Sequence, residues 1–425
     1  MKPVPLLLAL AALAGPVQAA DWPRWQGPSG TGRIPAGWRV PASLPAAPRV
    51  LWRVPIGLGQ GSPVVAAGRV FYLDNQEGKE VAHAASVETG REIWRVVLDD
   101  VFADSGSPPG PRSTPTVDGD RVYVLSCRGE FRCLRVADGR QVWRTSFMKD
   151  FGAPALLEAG DMPGTTRHGH TASPLIDGDR MFMPVGGLPG ASMVCFDKRD
   201  GRVLWRSQDD VPGHTGPVMA TLGGVRHLVC YTSAALIGLA PADGALLWRV
   251  PIKTLYGRHV TTPAVVGDTV VVGSYTAGLI GVRVTKSANG LSAVEAWNDR
   301  SLGIDFSSPV AVGAHVYCIG PGGRLFCVEA RTGARAWVEV GFFSGMLEAG
   351  FASFLVAGPN LLILAEGGRL MLVPATPTGC KLLAKAQVCG PNWCSPAYSD
   401  GKLTLRDGKE LICVDLVGSG AAVRR

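Results

Sequence analysis

The sequence predicts an all-β fold: an eight-bladed β-propeller of four-stranded antiparallel blades, with an N-terminal strand closing the last blade. Three observations predict it. First, one unit recurs along the chain, opening at Ser62-Pro63, Thr114-Pro115, Ser173-Pro174, Gly216-Pro217, Thr262-Pro263, Ser308-Pro309, Ser353-Phe354 and Ser395-Pro396, at spacings of 42 to 59 residues. That period, with four short strands per unit, is the signature of a propeller. Second, most units end on a Trp just after a tight turn: Trp94, Trp143, Trp205, Trp248, Trp297 and Trp337. Third, the chain lacks the amphipathic stretches of about ten or more residues that a helical solenoid of similar period would need.

The unit is clearest at Gly119 to Trp143, GDRVYVLSCRGEFRCLRVADGRQVW. It divides into alternating apolar strands, a turn at Arg128-Gly129-Glu130, a second turn at Asp138-Gly139 and a strand ending on Trp143. Gly supplies the positive φ of each turn, and Asp or Thr before it bonds its own backbone. A Trp in every unit is a packing residue that buries roughly 150–250 Å² against the next blade. The count follows from the ends. The last unit, Ser395 to Leu416, lacks a Trp strand, while VLWRVPI with Trp52 precedes the first. Joining the two closes an eight-bladed ring and removes exposed sheet edges. The seventh blade is degenerate, with LLAKAQV in place of a Trp strand.

Residues 1–19 have the form of a signal peptide, with Lys2, an apolar core over Leu6 to Ala14 and Val17-Gln18-Ala19 at the cleavage site. A strap, 20–49, precedes the propeller at 50–418, and 419–425 form a C-terminal tail. The expected location is periplasmic or secreted. The leader core is too short to span a bilayer stably, no later run is long enough, and no Cys near the cleavage site indicates a lipid anchor. The formal charge of +7 falls to +6 once Lys2 is removed, and the Arg residues are scattered over the blades. Nucleic-acid binding, which wants a basic stripe with interleaved aromatics, is not expected.

Of the ten Cys, Cys133, Cys195, Cys327 and Cys413 share one repeat position, where a free Cys serves as a small core residue. Cys318 and Cys327 fall opposite each other if their turn centres on Gly322-Gly323, and Cys389 and Cys394 flank a short loop, so both pairs are candidate disulfides. The chain lacks CxxC and CxxCH, so zinc, haem and thioredoxin-like readings find no support.

Candidate site residues come from the channel. Innermost strands line it, and the residues three or four positions before each repeat's Pro ring its mouth: Gln60, Arg112, His170, His214, His259, Asp305 and Asn392, with His168 and Arg258 adjacent. Blade seven offers Gly350, with Glu348 nearby. The longest insertions, Asp99–Arg112 and Met148–His170, fall on this same face, where repeat proteins often bind. The ring suits a hydrated polar funnel, or a site for an anion or polar small molecule with Arg112, Arg258 and the His as donors. It also suits a transition metal on His170, His214 and His259, because neutral imidazole is a good ligand.

The DWPxxxGP opening and units such as GPRSTPTVDGDRVYVLSCRGEFRCLRVADGRQVW and AQVCGPNWCSPAYSDGKLTLRDGKELICVDL resemble the PQQ-like (pyrroloquinoline quinone) β-propeller repeat family across essentially the whole mature chain. That family contains quinoprotein dehydrogenases, a non-enzymatic propeller of the bacterial outer-membrane assembly machinery, and other exported proteins, to which this chain looks closest. The resemblance implies, for the enzymes, an adjacent Cys-Cys disulfide and a Ca²⁺ site of carboxylates and an Asn. No two Cys are adjacent here, while Asp305 and Asn392 stand at channel positions. The expectation is a non-enzymatic binding or scaffold module without a cofactor, using its His- and Arg-containing channel face for a protein, peptide or small polar ligand. The alternatives are a PQQ- and Ca²⁺-dependent oxidoreductase of alcohols or sugars with Asp305 as base, and a metal-binding propeller.

Overall fold

Alternating apolar residues and glycine turns produce strands throughout the computed structural model, which describes residues 20–104, 106–156, 164–274, 276–288, 290–343 and 350–418. The expected leader and tail, and Glu348, lie outside the described residues. Blade 2 is typical: Thr116–Asp118, Arg121–Leu125, Glu130–Arg135 and Gln141–Ser146 pair antiparallel in chain order, from the channel outwards. All eight sheets are four-stranded. The helices among the described residues are short, chiefly Phe147–Phe151 and Thr165–His168. The eight-bladed all-β expectation is met.

Closure takes the expected route. Arg49–Pro55 pairs antiparallel with Glu410–Asp415, placing Trp52 opposite Cys413. A buried Arg406 bolts this blade to the first: Nη1 donates to the Leu73 carbonyl at 2.5 Å and Nη2 to the Gly57 carbonyl at 2.6 Å. Blade 7 ends on Ala384–Gln387, a four-residue strand without Trp.

The tryptophans pack between blades. Each indole needs a small partner across its own hairpin, and the register supplies one: Ala84 faces Trp94, Cys133 Trp143, Cys195 Trp205, Gly238 Trp248, Gly281 Trp297, Cys327 Trp337 and Cys413 Trp52. The shared Cys position is therefore a packing slot. For Trp52, Trp94, Trp143, Trp205 and Trp297 the other side of the indole lies on the turn glycine of the following blade. A Cβ on Gly90 would come within 2.7 Å of Trp52, and one on Gly139 within 2.9 Å of Trp94. Those glycines also hold φ near +70°, a region costly for other residues. Trp52, Trp94, Trp143, Trp205, Trp297 and Trp337 each donate Nε1–H to a carbonyl of the next blade at 2.9–3.2 Å. Trp248 Nε1 is buried without a partner. The carbonyl used elsewhere belongs to a residue one or two past the third strand, such as Val136 in blade 2. In blade 5 the third and fourth strands run on as Gly278–Ser287 and Gly290–Asp299, so the equivalent Val284 stays in the ladder opposite Ala293.

All ten cysteines are free. The register explains the unbridged Cys318 and Cys327. The hairpin turns about Gly322, so Cys318 faces Phe326 and Cys327 faces Tyr317. One position of offset puts the two thiols on opposite faces of the sheet. Cys389 and Cys394 also remain apart: Cys394 Sγ donates to the Arg406 carbonyl at 3.2 Å, and Cys389 Sγ accepts from Asn392 Nδ2 at 3.6 Å.

The strap does more than pack on the ring: it crosses the channel. Trp22 exchanges backbone bonds with Val65, the Pro23 carbonyl accepts from Val117 N–H, and Trp25 Nε1 donates to Thr262 Oγ1 at 3.0 Å. Val356 N–H then bonds the Gly32 carbonyl, and Arg39 pairs with Asp400 at 3.1 Å. These partners belong to blades 1, 2, 5, 7 and 8. The backbone bonds fall near the ends of the inner strands, away from the long insertions. The strap therefore floors the channel at the end opposite its loop-rich mouth.

Candidate functional site: the channel cavity

The floor turns the channel into a cup of about 700 Å³. Its wall explains the small-residue–Pro openings. Pro lacks an N–H, so the last strand donor is the N–H of the residue before it. The next blade's hydroxyl satisfies it: Ser62 N–H bonds Thr114 Oγ1, Thr114 N–H bonds Ser173 Oγ, Thr262 N–H bonds Ser308 Oγ and Ser395 N–H bonds Ser62 Oγ, at 2.9–3.2 Å. These hydroxyls form a belt that joins neighbouring blades around the cup.

At the mouth, Gln60, Arg112, His168, His214 and Arg258 line the cavity as the sequence suggests. Arg112 is anchored by a residue the repeat pattern does not single out. Asp104 Oδ2 lies 2.8 Å from Arg112 Nη1 and 3.0 Å from His168 Nδ1, and Asp104 Oδ1 accepts from Gly106 N–H at 2.7 Å. The Arg112 and Asp104 side chains are 5% and 1% exposed. Burial alone raises the Asp104 pKa, but the His168 bond, the Gly106 N–H and the Arg112 charge outweigh it and hold the carboxyl below its ordinary range. Arg112 Nη1 also donates to the His168 carbonyl, while its Nε and Nη2 are buried without partners.

The histidines divide. His168 and His214 rings sit 5.4 Å apart. Burial pushes the His214 pKa down to about 3, with nearby His168 and Arg112 acting the same way, and neither ring nitrogen has a partner. Burial also lowers the His168 pKa, against the opposing pull of Asp104. His170 and His259 do not line the cavity. His170 packs edge-on against Phe147 at 5.0 Å. His259 stacks on Tyr231 at 3.9 Å and bonds the Thr232 carbonyl through Nδ1 at 2.5 Å. Burial lowers the pKa of each to about 4. Among the described residues no three His, Cys, Asp or Glu side chains converge to hold a metal, so the His170, His214 and His259 site is not assembled.

Asp305 and Asn392 also lie outside the cavity lining. Burial raises the Asp305 pKa, with Arg258 opposing it. Asn392 Nδ2 is spent on the Ala365 and Glu366 carbonyls at 3.1 and 3.2 Å. A quinone site with Ca²⁺ needs carboxylate oxygens on the metal, and among the described lining residues there is no Asp or Glu. These residues do not fit that cofactor. The positions went astray because three and four residues before Pro point in different directions as the chain enters the strand. Sequence reasoning also missed Arg24 and Trp25 on the floor, Arg167 at the mouth, and the rim aromatics Phe306, Phe351 and Trp393.

The fold and the site define a closed eight-bladed β-propeller whose channel is a floored, cation-lined cup. The family model described as outer membrane protein assembly factor BamB matches residues 39–144 and 77–339, and the chain belongs to this PQQ-like repeat family. It is similar to the outer membrane protein assembly factor BamB of Moranella endobia, 25% identical over 268 residues, covering 59% of this chain and 63% of the relative. To the factor of Shewanella oneidensis it is 26% identical over 283 residues, covering 62% and 65%. The chain thus spans just under two thirds of these relatives' length. BamB from Moraxella catarrhalis superposes with a TM-score of 0.61 at 14% identity, over 89% of this chain and 100% of that one. The quinohemoprotein alcohol dehydrogenase ADHIIG from Pseudomonas putida HK5 gives 0.60 at 11%, over 96% and 81%. At such identities the two structures share the fold alone.

Proposed function

We propose that this protein is a periplasmic or secreted, non-catalytic scaffold that holds a protein partner on its loop-rich face, in the service of outer-membrane protein assembly. One observation carries the reading beyond family membership. Leu58, Met148, Leu188, Leu255 and Val340, five of the fifteen exposed large apolar side chains among the described residues, are 36–78% exposed and sit on inter-strand connections at the cavity-mouth face. Placed around one cavity mouth, these five offer a partner apolar contact beside the polar lining. The cavity within that rim offers the channel-face ligand site, through Gln60, Arg112, His168, His214 and Arg258. Export is supported by the leader-like 1–19 segment and by the relatives' names.

The test is deletion of the gene in its native host, followed by measurement of outer-membrane protein levels, with complementation by wild type and by the double variant Leu188→Glu/Leu255→Glu. Reduced levels restored by wild type and not by the double variant are expected. Unchanged levels on deletion, or full rescue by the double variant, would remove the reading.

A further inference from the structure

The cup is unusual in its charge. Arg24, Arg112, Arg167 and Arg258 line it, and among the described lining residues there is no carboxylate. Arg24 and Arg167 have no ion pair among the described residues; Arg24 bonds the Pro28 carbonyl and Arg167 lies 5.5 Å over the Tyr256 ring. Arg112 is more specific. Asp104 and the His168 carbonyl both engage Nη1. What remains is the Nε–Nη2 edge, buried and unpartnered. That edge presents two parallel N–H groups, the fork that matches a planar carboxylate. Buried donors of this kind are rarely left unpaired in a folded protein. Both nitrogens of His214 are buried and unpartnered as well. Trp25, Phe306, Phe351 and Trp393 supply apolar surface on the same lining.

We propose that the cavity is a receptor for a small organic carboxylate, its carboxylate held by the Nε–Nη2 edge of Arg112 with a hydrogen bond from His214, and its apolar body against the aromatic lining. This rests on the reading of the loop-rich face as a binding face and names the ligand class for its centre. An ordinary ligand pocket has this composition, mostly apolar with a few convergent polar groups, and this volume. Asp104 acts as a positioning residue: it fixes Arg112 and spends only Nη1, leaving the Nε–Nη2 edge unpaired.

The test is titration calorimetry of the full mature chain with benzoate, benzamide and inorganic phosphate. Saturable one-to-one binding of benzoate is expected, with benzamide at least tenfold weaker because it lacks the charge, and phosphate weaker because it lacks the apolar body. Arg112→Gln should weaken benzoate at least tenfold. Because that change strands Asp104, Arg112→Lys and His214→Phe serve as second variants, each with its thermal melt recorded; both should weaken benzoate while remaining folded. Absent benzoate binding, equal affinity for benzamide, tighter binding of phosphate, or affinity unchanged in folded variants would overturn the proposal. The outcome is separable from the scaffold reading. Rescue that depends on Leu188 and Leu255 without benzoate binding removes this proposal alone, and benzoate binding without a deletion phenotype removes the other alone.

Discussion

Replacing Trp94 and Trp248 by Phe, one at a time, isolates the hydrogen bond that joins neighbouring blades. The two indoles are comparably buried, at 9% and 5% exposure, and each faces a small residue on its own hairpin, Ala84 or Gly238. The volume lost is the same, so the cavity term largely cancels between the variants. They differ at Nε1. Trp94 donates to the Val136 carbonyl at 3.0 Å, while Trp248 has no acceptor. Losing the Trp94 bond forfeits about 1 kcal/mol net and leaves a buried carbonyl without that donor, and removing the unsatisfied Trp248 donor relieves a penalty of about 1–3 kcal/mol. Trp94→Phe should therefore be less stable than Trp248→Phe by about 2–4 kcal/mol. Urea unfolding followed by far-UV circular dichroism measures the difference, compared at equal denaturant slope. Equal losses in the two variants would refute the claim that this hydrogen bond contributes to joining the blades.

Three further outcomes follow from buried groups. Glu80 is fully buried, and burial raises its pKa to about 7 against bonds from Cys127; the folded state therefore keeps a proton that the unfolded state releases near 4.5. Its contribution is favourable below the unfolded value and is lost as pH rises through about 7, so Glu80→Gln should flatten the fall in urea midpoint between pH 5 and 8 and stabilise the protein at pH 8. A Cβ on Gly281 would lie 2.1 Å from the Trp297 ring, so Gly281→Ala should cost about 1–3 kcal/mol by overpacking in a thermal melt, although Ala84 is accepted at the same place in blade 1. Iodoacetamide at pH 8 should label the half-buried Cys380 and Cys389 first and, in urea without reductant, all ten thiols by mass spectrometry; a pair protected until reductant is added would contradict the free-thiol assignment.

The parts of the molecule legible in the sequence are those written in local pattern. Strand alternation, Asp-Gly and Thr-Gly turns and a Trp at fixed offset repeat often enough to count blades, and the missing last strand is visible because Trp52 stands alone before the first unit. Half of the site was legible for the same reason: Gln60, Arg112 and His214 occupy a repeat position. Asp104 sits in an insertion without a counterpart in other blades, so nothing marked it as the anchor of Arg112. His170 and His259 stand one residue earlier, four before their Pro where Gln60, Arg112 and His214 stand three before, and they turn into the wall because successive residues of an extended chain point to opposite sides. The strap's course was hidden because its partners Val65, Val117 and Val356 are far apart in sequence and meet it through the backbone.

The closing strand also dictates an order of events. Arg49 and Asp415, paired in the last blade, are 366 residues apart. A loop of that length costs on the order of 5 kcal/mol of chain entropy to close. At synthesis rates of about 5–20 residues per second, the first strand waits tens of seconds for its neighbour to exist. Through that interval the nascent chain carries an open edge bearing Trp52, and the strap has only the first blades on which to settle. The ring therefore cannot be finished blade by blade as it emerges; its last seam is sewn after the chain is complete, and the interval before it is when the nascent protein is most exposed to mispairing.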